Sequence, residues 1–287
     1  MDLAYVNGKI SRIKEAAVPV EDRGYQFGDG VYEMVNAYSG TYFALPEHLD
    51  RLQQSARGID LQLPLSLDEL SALAWQLLRQ SGLKDAQLYI QVTRGQAPRN
   101  HPFPESTRPS LVITLRESQP LPDHLAERGV SVLSLPDIRW KLCHIKSTNL
   151  LPNVLAKEKA RAAGHFEAIF VQENGLVSEG ASSNVFVVHD RLVITPPANE
   201  RILNGITRQF VLKLAREEGI PIEEAPVSYQ ELLRSTEVFL TGTSIQVLPV
   251  VTVDGHQVGN GRPGPVTSAL AQAYQRLLQD HTTKRHS

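Results

Sequence analysis

Residues Asp137 to Ala160 read DIRWKLCHIKSTNLLPNVLAKEKA: an alternating apolar segment reaches a lysine and then passes into an amphipathic helix. Side chains alternate between the two faces of a β-strand, so Trp140, Leu142 and Lys146 share one face if the first part is a strand. If that face is the buried one, Lys146 points inward. The stretch therefore predicts a strand that ends in a lysine, followed by a helix.

A lysine in this place has two interpretations. At a strand end, a lysine commonly extends its ammonium group into water, and no function is needed to explain it. A lysine that is partly desolvated has a lowered pKa, so that its neutral amine can form a Schiff base with a carbonyl compound. The choice for Lys146 depends on whether the rest of the chain supplies a binding site for such a compound.

The composition of the 287 residues limits the class of protein. With 41% hydrophobic and 21% charged residues, the chain is typical of a soluble globular protein with one large domain or two moderate ones. The 29 Lys and Arg against 31 Asp and Glu give a net charge of -2 without a basic block, which argues against nucleic acid as a partner. The single cysteine, Cys143, excludes a disulfide framework and a cysteine-based zinc cluster, and we expect no metal site.

The chain shows no targeting or membrane signal. Residues 1–15, MDLAYVNGKISRIKE, lack the long apolar core of a signal peptide, and no window approaches the roughly 18 apolar residues of a membrane helix. We therefore expect a cytoplasmic protein without a membrane partner.

Tight-turn signals alternate with helical spacing along the chain. One helical stretch, SLDELSALAWQLLRQSG, offers Ser66 and Glu69 as a capping box and Gly82 as a stop. Strands joined by tight turns and interspersed with helices predict an α+β fold with mixed, largely antiparallel sheets and flanking helices. Hairpin turns are predicted at Asn7-Gly8, Ser39-Gly40, Asn174-Gly175 and Asp254-Gly255.

Two domains are expected on either side of residues 117–129, ESQPLPDHLAERG, where two prolines lie among charged residues. The prediction is a smaller N-terminal α+β domain at residues 1–120 and a larger C-terminal α+β domain at residues 121–280. Residues 281–287 are expected to form a polar tail.

Small and polar residues mark three further stretches of the expected C-terminal domain. VSEGASSNVF (177–186) precedes a strand, ILNGITRQF (202–210) starts a helix, and LTGTS (240–244) ends a strand. Small residues let backbone N–H groups approach an anion, and a helix N-terminus adds its dipole, although each stretch alone is also typical of a cap or turn. A lysine that can form an imine, a site for a phosphate and the carboxylate of Glu179 together suggest pyridoxal phosphate as a cofactor. The carboxylate would keep the ring nitrogen of this cofactor protonated.

Five motifs, in this order, resemble those of the D-amino-acid transaminases: EDRGYQFGDGVYE, VTRGQAPRNHPFPE, IKSTNLLPNVLAK, SEGASSNVF and ILNGITR. That family belongs to the fold-type-IV pyridoxal phosphate enzymes, as do the branched-chain aminotransferases and the aminodeoxychorismate lyases. The resemblance runs from about Tyr5 to the last helix. It implies a two-domain, homodimeric transferase that uses pyridoxal 5'-phosphate in a two-step Schiff-base mechanism. Its substrates would be D-amino acids such as D-alanine and 2-oxo acids such as 2-oxoglutarate.

The resemblance also implies roles for individual residues. Lys146 would be the Schiff-base lysine and proton carrier, and Glu179 would partner the pyridine nitrogen. Tyr32 would enter the site, while Arg99 and His101 would reach across the homodimer interface to bind the substrate carboxylate. The other cofactor contacts that it implies are Arg51, Ser182, Ser183, Leu203, the backbone of Ile206, Thr207 and Thr243.

Three positions depart from the family pattern. Pro102 follows His101, Ala181 stands where a serine is common, and Asn204 stands where a lysine is familiar. In the family that the chain resembles, this loop shapes the side-chain pocket, so the resemblance implies that Pro102 bears on the preferred substrate and not on the reaction.

The alternatives are other enzymes of the same fold, namely an aminodeoxychorismate lyase, a branched-chain L-aminotransferase or an amine transaminase. The pair Arg99 and His101 distinguishes them, because those relatives usually lack this carboxylate trap. An alternative of another class is a non-catalytic pyridoxal phosphate carrier, whose yellow colour would not bleach when D-alanine is added.

Overall fold

The computed structural model describes residues 1–283, and its mixed sheets and flanking helices confirm the α+β class. Two compact units divide the chain, but not at a single point. The first unit contains residues 1–119, residues 145–149 and the described residues from 280 onward. The second contains residues 120–144 and 150–279. Lys146 therefore belongs to the first unit, although it lies far along the chain.

The first unit is built on a six-stranded antiparallel sheet with the strand order β2-β1-β6-β5-β3-β4. A short 3-10 turn, Ile13–Glu15, follows the first hairpin. The elements are β1 (Leu3–Val6), β2 (Lys9–Arg12), α1 (Arg23–Phe27), β3 (Gly30–Tyr38), β4 (Thr41–Tyr42), α2 (Leu45–Arg57), α3 (Leu67–Ser81), β5 (Ala86–Thr93) and β6 (Ser110–Glu117).

Both hairpins of this unit turn where the sequence predicts them. Asn7 and Gly8 have φ of 46° and 102°, and Ser39 and Gly40 have φ of 48° and 77°. Positive φ at both central residues matches the twist of the flanking strands, which is why small or Asn-Gly pairs occupy such turns. Helices α2 and α3 bury their apolar faces in the same core as the sheet.

The start and end of α3 also follow the sequence. Ser66 and Glu69 make both hydrogen bonds of the capping box, and Gly82 ends the helix in the left-handed conformation.

The second unit contains a nine-stranded mixed sheet with the order β12-β11-β10-β13-β14-β7-β8-β9, and β15 pairs with β14. The pairs β11–β12, β14–β7 and β7–β8 are parallel. The elements are α4 (Asp123–Arg128), β7 (Val130–Pro136), α5 (Leu151–Ala162), β8 (Glu167–Val171), β9 (Val177–Gly180), β10 (Asn184–His189), β11 (Leu192–Thr195), α6 (Ile206–Glu217), β12 (Ile222–Glu224), α7 (Tyr229–Arg234), β13 (Glu237–Gly242), β14 (Gln246–Val253), β15 (His256–Gln257) and α8 (Pro265–Thr283).

The predicted strand before Lys146 is wrong, because residues 137–146 form a loop. The condition that the Trp140 face is the buried one is also not met. Ile138 is 67% exposed and Trp140 is 36% exposed, whereas Arg139 is buried. Arg139 turns inward because it pairs with Glu179, and a partner 40 residues away is invisible to a reading of local alternation.

Two other segments differ from the sequence interpretation. The segment expected to be a linker contains α4, and α8 continues to Thr283, so the first three residues of the predicted polar tail are helical. Residues 284–287 lie outside the described part of the chain. Within residues 1–283, no helix is long and apolar enough to cross a membrane.

Candidate active site

Lys146 is fixed through its backbone against β3 of the first unit. The Tyr32 N–H donates to the Lys146 carbonyl at 2.9 Å, and the Lys146 N–H donates to Ser55 Oγ at 3.1 Å. An isolated β-bridge between Val31 and Ser147 extends this pairing. Because the backbone is held on both sides of the lysine, the position of its amine depends on the side-chain torsions alone.

The amine of Lys146 faces the ring of Tyr32. Its Nζ lies 3.4 Å from the Tyr32 hydroxyl oxygen and 4.4 Å from the ring centroid. The Tyr32 ring in turn lies 5.5 Å from that of Tyr89, on the neighbouring strand β5. Two residues predicted to belong to the site are thus in contact.

Arg51 is held by a buried carboxylate, that of Glu33. Arg51 Nε and Nη2 donate to Glu33 Oε1 and Oε2 at 2.6 and 2.9 Å, and His48 Nδ1 donates to Oε2 at 2.7 Å. Glu33 has no exposed surface. Burial favours the neutral acid, but the charge of Arg51 and hydrogen bonds from His48 and Arg51 outweigh it and lower the pKa of Glu33 to about 2. Burial also lowers the pKa of His48, so a neutral imidazole makes this bond.

Sequence reasoning missed Glu33 and His48, although a signal was present. Val31, Glu33 and Val35 share the face of β3 that packs into the core. His48 lies three residues before Arg51, so both are on one side of α2. A carboxylate on an apolar strand face requires a charged partner, and the next helix supplies one.

Arg99 and His101 lie in the segment between β5 and β6, and both side chains are exposed. The Arg99 guanidinium carbon is 4.5 Å from the centroid of the Phe27 ring, and the His101 ring is 5.5 Å from it. Arg99 Nη1 also donates to the Gln26 carbonyl at 3.4 Å. The two side chains proposed for substrate binding therefore meet at one aromatic ring.

Glu179 lies in β9 of the second unit, and its carboxylate accepts three hydrogen bonds. Arg139 Nη1 donates to Oε1 at 2.5 Å, and Asn184 Nδ2 and the Leu203 N–H donate to Oε2, each at 3.1 Å. Arg139 also donates to both oxygens of Asp137 at 2.9 Å. Burial disfavours the charged guanidinium, but the bonds to Asp137 and the charge of Glu179 outweigh it and raise the pKa of Arg139. A permanent positive charge therefore faces Glu179.

Ser182 and Ser183 contact another buried carboxylate of the second unit, Glu167, which the sequence did not reveal. Their hydroxyls donate to Glu167 Oε2 at 2.6 and 3.4 Å, and Lys157 Nζ lies 3.1 Å from the same oxygen. A hydroxyl that donates to a carboxylate presents only lone pairs to another anion. Either serine must rotate away from Glu167 before it can donate to a phosphate, and the longer bond of Ser183 is the easier one to break.

The N-terminus of α6 is the feature of the second unit best suited to an anion. The helix begins at Ile206 after Gly205, which has no side chain, so the N-cap residue gives the first N–H groups no side-chain acceptor. A Cβ at Gly205 would collide with the amide oxygen of Asn184. Thr207 is buried in the first turn. The hydroxyl of Thr241, at the end of β13, is buried without a hydrogen-bond partner among residues 1–283.

The predicted site residues are distributed over both units. The first unit contains Lys146, Tyr32, Arg51, Arg99 and His101. Thr243, in the second unit, follows β13 in the turn to β14, and Leu203 is tied to Glu179 by its N–H. The second unit contains Glu179, Ser182, Ser183, Leu203, Ile206, Thr207 and Thr243.

Sequence comparison gives the family. The profile of the class IV amino-transferases matches residues 30–253, which include β3 with Tyr32, the Lys146 segment and Glu179. The chain belongs to the class IV aminotransferases. This class IV aminotransferase is similar to the D-alanine aminotransferase of Bacillus licheniformis, with 44% identity over 278 residues that cover 97% of this chain and 98% of the relative.

Solved structures of branched-chain amino acid aminotransferases have the same fold. The branched-chain amino acid aminotransferase of Escherichia coli matches with a TM-score of 0.90 and 31% identity over 96% of this chain and 94% of that one. The T.th. branched-chain amino acid aminotransferase, solved with pyridoxamine 5'-phosphate, matches with a TM-score of 0.90 and 25% identity over 97% and 94%. These neighbours confirm the predicted fold-type-IV class.

Proposed function

We propose that the chain is a D-amino-acid aminotransferase, which moves an amino group from a D-amino acid such as D-alanine to a 2-oxo acid such as 2-oxoglutarate. The observation that carries the proposal is the amine of Lys146, fixed through its backbone and held 3.4 Å from the Tyr32 hydroxyl. The name and the 44% identity of the D-alanine aminotransferase of Bacillus licheniformis support the substrate class.

Pyridoxal 5'-phosphate would be the cofactor; it supplies an aldehyde that reacts with amines and a ring that accepts electrons from the substrate. The donor groups of the chain fit such a molecule. A lysine amine matches the aldehyde, the buried carboxylate of Glu179 matches a protonated ring nitrogen, and the uncapped N-terminus of α6 matches a phosphate. The pyridoxamine 5'-phosphate bound to the T.th. aminotransferase supports the same cofactor class.

Glu179 would hold the proton on the ring nitrogen. Arg139 fixes one carboxylate oxygen, and Asn184 and the Leu203 N–H fix the other, so the carboxylate does not rotate. Leu203 would also support the ring through its side chain. A carboxylate that is oriented in advance does not have to reorganise while charge develops on the substrate.

The phosphate would be bound by an arginine, several hydroxyls and a helix N-terminus. Arg51 is well suited, because Glu33, which is itself bonded to His48, holds its guanidinium in one orientation. The phosphate contacts that we propose are Arg51, Ser182, Ser183, the Ile206 N–H, Thr207 and Thr243.

Lys146 would take the α-proton from the substrate and return it on the way to product. A base must lie within hydrogen-bond reach of the proton that it takes, and the fixed backbone of Lys146 restricts where its amine can be. Tyr32 would orient the amine through the contact between Nζ and the hydroxyl.

Arg99 and His101 would bind the substrate carboxylate, and we propose that they do so across a homodimer interface. Charge-assisted hydrogen bonds to a carboxylate give both affinity and a fixed orientation. This pair is the feature that favours a D-amino-acid enzyme over the other members of the fold.

A branched-chain L-aminotransferase is the second candidate, because two solved enzymes of that name match with TM-scores of 0.90. We would test a panel of D- and L-amino acids with 2-oxoglutarate and determine the configuration of the glutamate formed. The proposal expects D-alanine to react and D-glutamate to accumulate. L-glutamate formed from L-leucine, L-isoleucine or L-valine would establish the second candidate instead.

A further inference from the structure

Arg23, at the start of α1, holds the backbone next to Arg99. Its side chain is buried, with 3% of the residue exposed. Its guanidinium donates to three successive carbonyl oxygens, those of Asn100 at 2.6 Å, His101 at 3.1 Å and Pro102 at 3.4 Å. A planar group with several N–H donors in a fixed arrangement can make such a set of bonds, and an ammonium group cannot reproduce it.

Arg23 is itself anchored. Its backbone N–H donates to the Gly95 carbonyl at 2.9 Å, and its Nε donates to Asp29 Oδ2 at 2.8 Å. Asp29 also accepts from Arg94 Nε at 2.9 Å. The guanidinium therefore has one position, and the carbonyls that it binds are placed relative to the end of β5.

The segment that carries Arg99 and His101 has few other restraints, apart from the Arg94 guanidinium, whose carbon lies 3.6 Å from the centroid of the Phe103 ring. Its residues 99–103 are exposed, and in the described part of the chain no backbone-to-backbone hydrogen bond involves them. The ring of Phe27 is contacted by Arg23 at 4.8 Å, by Arg99 at 4.5 Å and by His101 at 5.5 Å. The conformation of the segment thus depends on Arg23 both directly and through one ring.

We propose that Arg23 is a positioning residue for the substrate carboxylate: it fixes the backbone of residues 100–102 and thereby the directions in which Arg99 and His101 point. The inference rests on the proposed role of Arg99 and His101. Misplacement of a binding group by about 1 Å reduces a rate by about 100-fold, so loss of the guanidinium should matter although Arg23 itself does not touch the substrate.

The test uses the holoenzyme with Arg23→Lys, which keeps the charge beside Asp29, and Arg23→Gln, which removes it. Arg116→Gln, in an exposed ion pair of the same unit, is the control for a lost arginine. We would measure kcat and KM for D-alanine and the rate of the half-reaction with a primary amine that has no carboxylate. The Kd of propionate, a carboxylate that cannot react, would be measured from the change in the cofactor spectrum.

Both Arg23 variants should lower kcat/KM for D-alanine by about 10- to 100-fold, mainly by raising KM. They should raise the Kd of propionate by a similar factor. The amine half-reaction and the cofactor spectrum should not change, and Arg116→Gln should match the wild type. Equal losses for D-alanine and the amine, or no loss of propionate affinity, would overturn the inference. If Arg23→Gln does not fold, Arg23→Lys decides.

A double-mutant cycle with Arg99→Ala separates the inference from the proposed function. Arg99→Ala alone should lower kcat/KM for D-alanine by roughly 10- to 150-fold. Once Arg99 is gone, Arg23→Lys should add much less than it does in the wild type, because the two residues act as one unit. Full additivity would overturn the positioning role. If Arg99→Ala did not change kcat/KM for D-alanine, the proposed role of Arg99 in binding the substrate carboxylate would be refuted. If the wild type were inactive with every D-amino acid, the proposed function would be refuted.

Discussion

Two buried carboxylates, one in each compact unit, are both bonded to an arginine but in opposite relations to the proposed chemistry. Glu33 in β3 binds Arg51 through two hydrogen bonds and accepts a third from His48. Glu179 in β9 binds Arg139 and accepts two further bonds from neutral donors. In the first cluster the arginine is the residue expected to bind the cofactor. In the second it is the carboxylate.

The difference shows that a buried ion pair does not reveal which partner is functional. In each cluster the residue that we interpret as the support is also bonded to a second ionisable side chain, Glu33 to His48 and Arg139 to Asp137. Removal of the support should change the position or charge of its neighbour. Removal of the functional group should change cofactor chemistry directly.

The largest effect is expected at Lys146, because both carboxylates matter to catalysis only if this lysine carries the cofactor. Lys146→Ala should keep the phosphate contacts, which do not involve its amine, and should lower transamination by at least about a thousandfold. Borohydride reduction of the wild-type holoenzyme followed by peptide mapping locates the modified residue. Cofactor found on any other lysine would refute the assignment.

Glu33→Gln should cause the next largest change, this time in stability. It leaves the Arg51 charge buried without its counter-ion, and breaking a buried pair in this way costs about 3 to 5 kcal/mol. The loss should be smaller in the holoenzyme than in the apoenzyme, because the phosphate would supply a negative charge to Arg51. Urea unfolding of both forms measures it.

An exposed pair provides the matched control. Glu158→Gln, which removes the partner of Arg161 on the surface of α5, should leave the unfolding midpoint unchanged. A Glu33→Gln loss that is the same with and without cofactor would show that Arg51 does not bind the phosphate.

Glu179→Gln should slow the chemical step by about 100- to 1000-fold, while cofactor affinity changes little. An amide does not keep the ring nitrogen protonated, so the ring accepts electrons less well. Bleaching of the cofactor by D-alanine in a single turnover measures this step. If Glu179→Gln changed mainly affinity and Glu33→Gln changed mainly the chemical step, the contrast between the two clusters would be reversed.

Local features of the fold could be predicted because their causes are local. The Asn7-Gly8 and Ser39-Gly40 turns need positive φ, and the Ser66–Glu69 capping box closes within one helical turn. The strand predicted for residues 137–146 failed because the burial of Arg139 is decided by Glu179, which lies on a distant strand.

The candidate site, like the fold, could be predicted only in part from the sequence. Motifs singled out Lys146 and Glu179, and the roles assigned to them stay predictions. Sequence reasoning missed three supporting residues, Glu33, His48 and Arg139. A motif shows which residue stands at a position but does not show which other residues it contacts. Strand alternation around Glu33 was the usable signal, whereas nothing local distinguishes Glu167 from an ordinary carboxylate at the start of β8.

The smallest effect concerns pH and the His48 bond to Glu33. Because the pKa of His48 is lowered in the folded state, the unfolded chain binds more protons as the pH falls below about 6.5, and stability decreases. The pKa of Glu33 is also lowered, from 4.5 to about 2, so its stabilisation is present above pH 4.5 and is lost between about pH 4.5 and 2. One group contributes at most about 1.4 kcal/mol per pH unit.

The variant His48→Asn keeps an N–H donor but does not titrate. Its free energy of unfolding, measured with urea, should therefore decline less between pH 7 and 5 than that of the wild type, while the decline below pH 4.5 persists. An identical slope in both proteins between pH 7 and 5 would contradict this prediction, because it would show that folding does not change the pKa of His48. A decline that is steeper in the variant than in the wild type would show that His48 is protonated in the folded state, and the Glu33 cluster would then carry two positive charges.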